Sequence, residues 1–339
     1  MSWKATNARP EGKMTKDGES AKRVFILGAG ASKACGLPLT NELLPNILPS
    51  LGTKSTRKRA LNFIKYLYPY FEPAWGNYPN VEELLSLMDV YVEFSGKVKS
   101  SHKFEPDEVE ELKGELLAAI SASLSECTAK VRIQSTQFFR LAKITRPGDV
   151  VISFNWDLLF ESALTELERD WEYELKGDKL ALLKPHGSVD WFDSETTKIK
   201  LSLTSPVIDK IGKLRVFQHF RMPRLRSQVT PVIVPPLIRK KWKYKEFDRI
   251  WRCAWRALRT AEEIYIIGFS LPPEDLHVRF VIRSAVRINE ETRAAPLRVT
   301  VVNPDKTVYL RFDRLMKTRV NYFESGFGDV KLEDLTAVR

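Results

Sequence analysis

The sequence predicts an α/β protein, a Rossmann-like doubly wound parallel sheet with a large all-helical insertion. Three observations predict it. Apolar runs of strand length alternate with helical patterns, as they do when a parallel sheet is buried on both faces. Each run ends directly in small, polar or ionisable residues. Between the first and second runs, about ninety residues carry helical periodicity with no strand signal of comparable strength.

Residues 1–20 are polar, without hydrophobic periodicity, and read as a flexible tail. The core begins over 21–50, where Arg23–Leu27 is a β-rich run that ends in Gly28-Ala29-Gly30-Ala31-Ser32, a strand feeding a glycine turn. The helical insertion covers 51–146. Asn80 is placed to cap a helix with Glu82 and Glu83 in its first turn and Val81, Leu84, Leu85, Met88 and Val92 on one face. Pro106-Asp107-Glu108 starts another, with Val109, Leu112, Leu116, Ile120 and Leu124 in register, and the turn Arg146-Pro147-Gly148-Asp149 closes the insertion.

The core resumes over 147–325. Val150–Phe154 precedes a helix from Leu158 to Glu168, and Leu182–Lys184 leads into Pro185-His186-Gly187. Val232–Val234 stands before a double proline, Glu263–Gly268 before Phe269-Ser270, and Leu297–Val302 ends at Asn303-Pro304-Asp305. Residues 326–339 are left as a C-terminal tail.

Composition narrows the function classes. A length of 339 residues fits one large domain carrying an insertion, and 43% hydrophobic with 29% charged residues excludes a disordered or collagen-like chain. No apolar run reaches eighteen residues and the start has no signal-peptide segment, so a cytoplasmic location without a membrane span is expected. Only Cys35, Cys127 and Cys253 occur, far apart, which excludes a disulfide scaffold or a four-cysteine zinc site.

The net charge of +11 is concentrated between Lys210 and Thr260, with fifteen Lys or Arg against two acids. Within it, Tyr244–Thr260 reads as a helix with Phe247, Ile250, Trp251, Ala254, Trp255 and Leu258 on its apolar stripe. Arg249, Arg252, Arg256 and Arg259 form a cationic ridge on it, reinforced by Arg239-Lys240-Lys241, Lys243 and Lys245. Such a ridge is a solvated face, a partner for acids of the insertion, or a contact for nucleic acid or an acidic partner.

In an open parallel sheet, ligands bind beyond the carboxyl ends of the strands. Those ends hold the glycine segment, Asn155-Trp156-Asp157, His186, Gly268-Phe269-Ser270 and Asn303. Gly28 and Gly30 allow backbone N–H groups to approach a pyrophosphate, with the following helix offering its positive end. The segment departs from GxGxxG, since Lys33 takes the sixth position, and no acid follows about twenty residues on to grip an adenosine ribose. Hydride transfer is therefore disfavoured.

Five blocks, in order, resemble the sirtuins: Gly28–Ser32 with Gly36-Leu37-Pro38, Phe154–Asp157, Pro185–Gly187, Gly268–Ser270 and Val302-Asn303. Gly28–Leu44 together with Ser153–Asp157 is similar to the bacterial sirtuin-like NAD-hydrolase branch of antiphage defence. The four zinc-binding cysteines of the deacylases are missing, which argues against NAD-dependent deacylation or ADP-ribosyl transfer. The resemblance implies NAD as substrate, with no metal. It implies that Asn155 holds the nicotinamide-side ribose and a water, that Asp157 receives the carboxamide, and that His186 is the base. It also implies a dinucleotide cradle of Gly28, Ala29, Gly30, Ser32, Leu39, Thr40 and Gly268, with Ser270 and Asn303 on the adenosine half. Trp156 stands where deacylases carry an aliphatic residue. Control by a homo-oligomer, or by a companion such as a HerA-type ATPase, follows from the same likeness.

The residue types suit the chemistry. Breaking the N-glycosidic bond of NAD leaves an oxocarbenium-like ribose, and nicotinamide departs with little acid help. Asn155 can orient water without adding a charge, and an imidazole exchanges protons near neutral pH. Two other uses of these residues stand beside this one. Asn155, Asp157 and Asn303 are also turn and cap formers, and the crevice together with the ridge also suits a non-catalytic, nucleic-acid-binding sensor of NAD or ADP-ribose.

Overall fold

The computed structural model describes residues 23–95, 103–175, 179–193, 207–211, 214–217, 231–235, 245–273 and 275–337. Residues 1–20, Arg239-Lys240-Lys241 and Lys243 lie outside them.

Seven parallel strands form the main sheet. They are β1 (Arg23–Leu27), β2 (Val150–Ser153), β3 (Trp171–Glu172), β4 (Leu180–Leu183), β9 (Glu263–Ile267), β10 (Arg298–Val302) and β11 (Val320–Phe323). Their order is β11-β10-β9-β1-β2-β4-β3. The chain extends from β1 to β2 on one side and later to β9 on the other, so the topological switch lies at β1. Because every strand runs the same way, all carboxyl ends meet along one edge. Val24 to Leu27 are buried to within 1% of full, as the absence of a polar residue in the run requires. Phe25 stacks on Tyr265 of β9 at 5.0 Å, its register partner, while Arg23 ion-pairs with Asp149 at the opposite edge.

Helices cover the sheet: α1 (Ala29–Lys33), α2 (Thr40–Ile47), α7 (Leu159–Glu166), α8 (Lys245–Thr260), α9 (Leu276–Thr292) and α10 (Lys306–Asp313). Between α2 and β2 lie α3 (Lys54–Leu67), α4 (Val81–Ser95), α5 (Pro106–Lys130) and α6 (Gln137–Ile144), with no strand among their described residues. The faces anticipated on α4 and α5 are the buried ones, except that Val92 is half-buried. Asn80 Oδ1 accepts from Glu82 N at 2.8 Å, and Pro106 opens α5, where its missing N–H costs nothing. These helices and the sheet share one hydrophobic core. No described helix is long and apolar enough to cross a membrane.

Three expectations need correction. Val232–Val234 does not extend the parallel sheet: β8 (Pro231–Ile233) joins β5 (Gly187–Asp193), β6 (Val207–Ile211) and β7 (Leu214–Phe217) in a second, antiparallel sheet of order β6-β7-β5-β8. The cause is Gly187. Its φ of +76° turns the chain sharply after β4, and a side chain there would meet Val232 O at 2.0 Å, so only glycine lets β5 lie against β8. Strands β3 and β11 have no counterpart in the sequence reading, since edge strands of two and four residues leave little pattern. The residues from 326 on, read as a tail, fold back: Phe327, Val330, Leu332 and Leu335 are buried, and α11 (Leu332–Ala337) ends the described chain.

Candidate active site at the carboxyl edge of the parallel sheet

A crevice of about 570 Å³ opens at the switch point, within the usual size range for small-molecule sites. Every residue assigned a role from the sequence lines it: Gly28, Ala29, Gly30, Ser32, Leu39, Thr40, Asn155, Asp157, His186, Gly268, Ser270 and Asn303. Glu82 of α4, Leu124 of α5 and Gly326–Asp329 also line it. The insertion and the folded carboxyl end are thus walls of the site.

The glycines do a different job from the one anticipated. Gly28 N donates to Ile267 O at 3.0 Å and Gly30 N to Gly268 O at 2.9 Å. Both N–H groups are spent on the end of β9. A Cβ at Gly28 would lie 2.4 Å from Phe269 Cα, one at Gly30 2.8 Å from Gly268 O, and one at Gly268, whose φ is +61°, 2.1 Å from Ala31 N. The glycines let two strand ends close on each other, and the crevice lies over that seam.

Asn155 hangs above it. Its Nδ2 donates to Gly28 O and to Ser32 Oγ, each at 2.9 Å. A carbonyl only accepts, so Gly28 O fixes which way the amide faces. Oδ1 makes no hydrogen bond to a described residue. Ser32 Oγ passes the chain on, donating to Asp157 Oδ2 at 2.6 Å, while Asp157 Oδ1 accepts from Leu159 N at 3.1 Å at the start of α7. Both oxygens of Asp157 are therefore engaged within the protein, in the cap-forming use that its sequence position allowed. Asn303 likewise closes a turn, its Oδ1 accepting from Asp305 N at 2.9 Å, and Ser270 stands exposed at the mouth. Thr40 Oγ1 accepts from Asn80 Nδ2 at 3.0 Å, tying α2 to the insertion.

His186 is 3% exposed, with Phe154 at 5.1 Å and Trp251 at 6.0 Å between ring centroids. Its Nε2 lies 2.9 Å from Asp275 Oδ2. Asp275 is fully buried and caps α9, its Oδ1 accepting from Val278 N at 3.0 Å. A carboxylate held on Nε2–H fixes the ring and its tautomer and leaves Nδ1 as the basic nitrogen of the neutral imidazole. Sequence reading missed Asp275. Its position before an apolar-periodic helix is a cap signal, yet nothing in it points to a histidine that follows a strand three places along the sheet.

A second missed group lies beneath. Lys184 is fully buried; Nζ donates to Asp157 O at 2.6 Å and Glu161 Oε1 at 2.7 Å. Tyr173 also donates to Glu161 Oε1, at 3.4 Å. Burial pushes Glu161 up to about 7, against the pull of the Lys184 charge, and Asp190 of β5 up to about 6 for the same reason. The ammonium thus pins the Asn155–Asp157 loop from behind. Cys35, near Asp157, is pushed up to about 11 by burial and by that carboxylate, so it is a neutral thiol near pH 7.

Trp156 is on the crevice wall, and its buried Nε1–H has no partner among the described residues. That nitrogen is enclosed by protein, so the part of Trp156 that faces the crevice is apolar ring surface. Among the described residues no group of three or more His, Cys, Asp or Glu is placed to hold a metal ion.

The basic helix is only partly an open ridge. Arg249 ion-pairs with the buried Glu174, and the Arg259 guanidinium lies 5.0 Å from the centre of the Trp255 ring. Arg252 and Arg256 are exposed.

No family model and no curated protein matches the chain. Among solved structures, the chain is similar to Sir2Tm bound to a propionylated peptide, at 14% identity, with 95% of each chain covered and a TM-score of 0.37.

Proposed function

We propose that the crevice cleaves the bond between nicotinamide and ribose in NAD, releasing nicotinamide and ADP-ribose. The observation that carries this reading is the convergence of His186, held by Asp275, with the Asn155 amide over a glycine seam at the switch point. In this reading the C1′–N bond breaks with its electron pair going to the nicotinamide ring nitrogen, which becomes neutral. The ribose carries the resulting positive charge. Asn155 Oδ1 accepts a hydrogen bond from the attacking water and aims it at C1′. His186 Nδ1 takes the proton that water loses, and the buried Asp275 carboxylate stabilises the imidazolium formed. Phe154, Phe269 and Trp156 keep bulk water out. The nicotinamide carboxamide goes towards Asp157. Ala29 and the start of α1 face the pyrophosphate, Leu39 and Thr40 close over it, and Ser270 and Asn303 meet the adenosine half.

The order of the five sequence blocks supports the same assignment. By that resemblance the activity belongs to antiphage defence and is controlled in a homo-oligomer or by a companion ATPase of the HerA type. Arg252 and Arg256, exposed on α8, favour a second reading in which the crevice only senses NAD or ADP-ribose while this face contacts nucleic acid. The two readings part on one measurement, since only the first releases nicotinamide.

Asn155→Ala tests the site. It removes the atom that aims the water, so nicotinamide release is expected to fall by about 10²-fold or more. ADP-ribose affinity, measured by calorimetry, should change far less. Loss of two buried hydrogen bonds should lower stability by about 1–3 kcal/mol, so the melting transition stays cooperative. Near-native nicotinamide release in this variant rules the site out.

A further inference from the structure

A second cavity, of about 490 Å³, shares Ala34, Phe327 and Gly328 with the crevice as a common wall. Its other sides come from the end of α1, the carboxyl end of α5, the turn after it and the first half of α6. The carboxyl-terminal segment that separates the two spaces is fastened down: Gln137 Nε2 of α6 donates to Val330 O at 2.7 Å. The proposed NAD chemistry makes no use of this cavity.

Its charge is one-sided. Lys130, Arg132 and Arg140 line it, and no aspartate or glutamate does. Lys130 pairs with Glu126 on the open surface, at 2.7 Å. Arg132 and Arg140 form no ion pair among the described residues, whereas elsewhere in the insertion Arg59 bridges Glu111 and Glu115 and Lys113 pairs with Asp89. Two exposed guanidinium groups thus rim one concavity that no carboxylate lines, which gives it a positive potential. A phosphate supplies the missing counter-charge and matches the planar fork of each group. The rest of the lining includes Val131, Phe327 and the thiols Cys35 and Cys127, an apolar surface for the uncharged part of such a ligand.

We propose that this cavity is a second small-molecule site, which takes a phosphate-bearing ligand with its phosphate on Arg132 and Arg140 and its apolar part against Val131 and Phe327. A nucleotide or a phosphate ester presents that chemistry. The site stands whether or not the crevice hydrolyses NAD.

Calorimetric titration of the full chain with AMP, and separately with inorganic pyrophosphate, tests it. Loss of two charge-assisted contacts is expected to weaken binding by at least about tenfold in Arg132→Glu/Arg140→Glu. Both arginines are exposed, so the melting temperature should not move. Any binding in the crevice is common to wild type and variant, so the difference between them reports this cavity alone. As a second measurement, AMP should slow alkylation of Cys127, which lines the cavity, in the wild type and not in the double variant. Protection by both probes assigns recognition to the phosphate, and protection by AMP alone adds a contribution from the nucleoside. Equal affinities in wild type and double variant, or alkylation of Cys127 that neither probe slows, would overturn the proposal.

Discussion

Replacing His186 with alanine is expected to lower nicotinamide release from NAD by about 10²–10⁴-fold, the usual range for losing a positioned general base. The ring is buried against Phe154 and Trp251, so the truncation also opens a small void beside the crevice. A second substitution separates chemistry from packing. Asp275→Asn keeps the size of the side chain and its role as cap of α9, because asparagine caps as well as aspartate. It removes the carboxylate that holds Nε2–H and balances the imidazolium. Turnover should therefore fall in Asp275→Asn while the melting temperature barely changes. Turnover at the wild-type level in both variants would show that the pair is structural only. Rates are to be read as initial velocities of nicotinamide formation, alongside thermal melts of each variant.

Lys184→Met should produce the largest loss of stability of any single substitution at the site, about 3–5 kcal/mol, because it leaves buried carboxylates without their counter-charge. The loss should depend on pH, with a sign that follows from the two acids. Glu161 and Asp190 hold protons more tightly in the folded protein than in the unfolded chain, at about 7 and about 6. The folded state therefore binds more protons over the interval between their ordinary values and these. The stability that the two groups contribute is full at pH values below their ordinary range, and is lost as pH rises through 6 and 7. Removing the ammonium raises both acids further and should steepen that decline. Urea titrations of wild type and Lys184→Met at pH 5 and pH 8 check this: the gap between them should be wider at pH 8. Equal gaps would mean that the cluster stays in one protonation state throughout. Activity should fall too, since Nζ also holds Asp157 O and with it the Asn155 loop.

What the sequence makes legible here follows from local pattern. Val24–Leu27, Val150–Ile152 and Ile264–Ile267 are apolar on both faces, which marks central strands of a parallel sheet. Parallel strands bring their carboxyl ends to one edge, so residues read one by one after each run line a single crevice in the folded protein. Less legible is whatever depends on pairing between distant elements. Asp275 meets His186, and Lys184 meets Glu161, only because β4, α7 and the loop before α9 are packed together. Gly187 shows a third kind of limit. Its presence signals a turn, but the antiparallel sheet that follows is decided by the close approach of Val232 O. The carboxyl end looked like a tail because its apolar residues are few and unevenly spaced, although Phe327 is wedged against Phe138 at 5.4 Å. The glycine segment lines the crevice, but the Gly28 and Gly30 N–H groups bind the end of β9, a pairing that no local pattern announces.

The most direct test is to incubate the purified chain with NAD, with and without a candidate partner, and quantify products by liquid chromatography. The account predicts nicotinamide and ADP-ribose in equal amounts, both abolished by Asn155→Ala and His186→Ala. NAD that is bound in the crevice yet returned intact under every condition would contradict it.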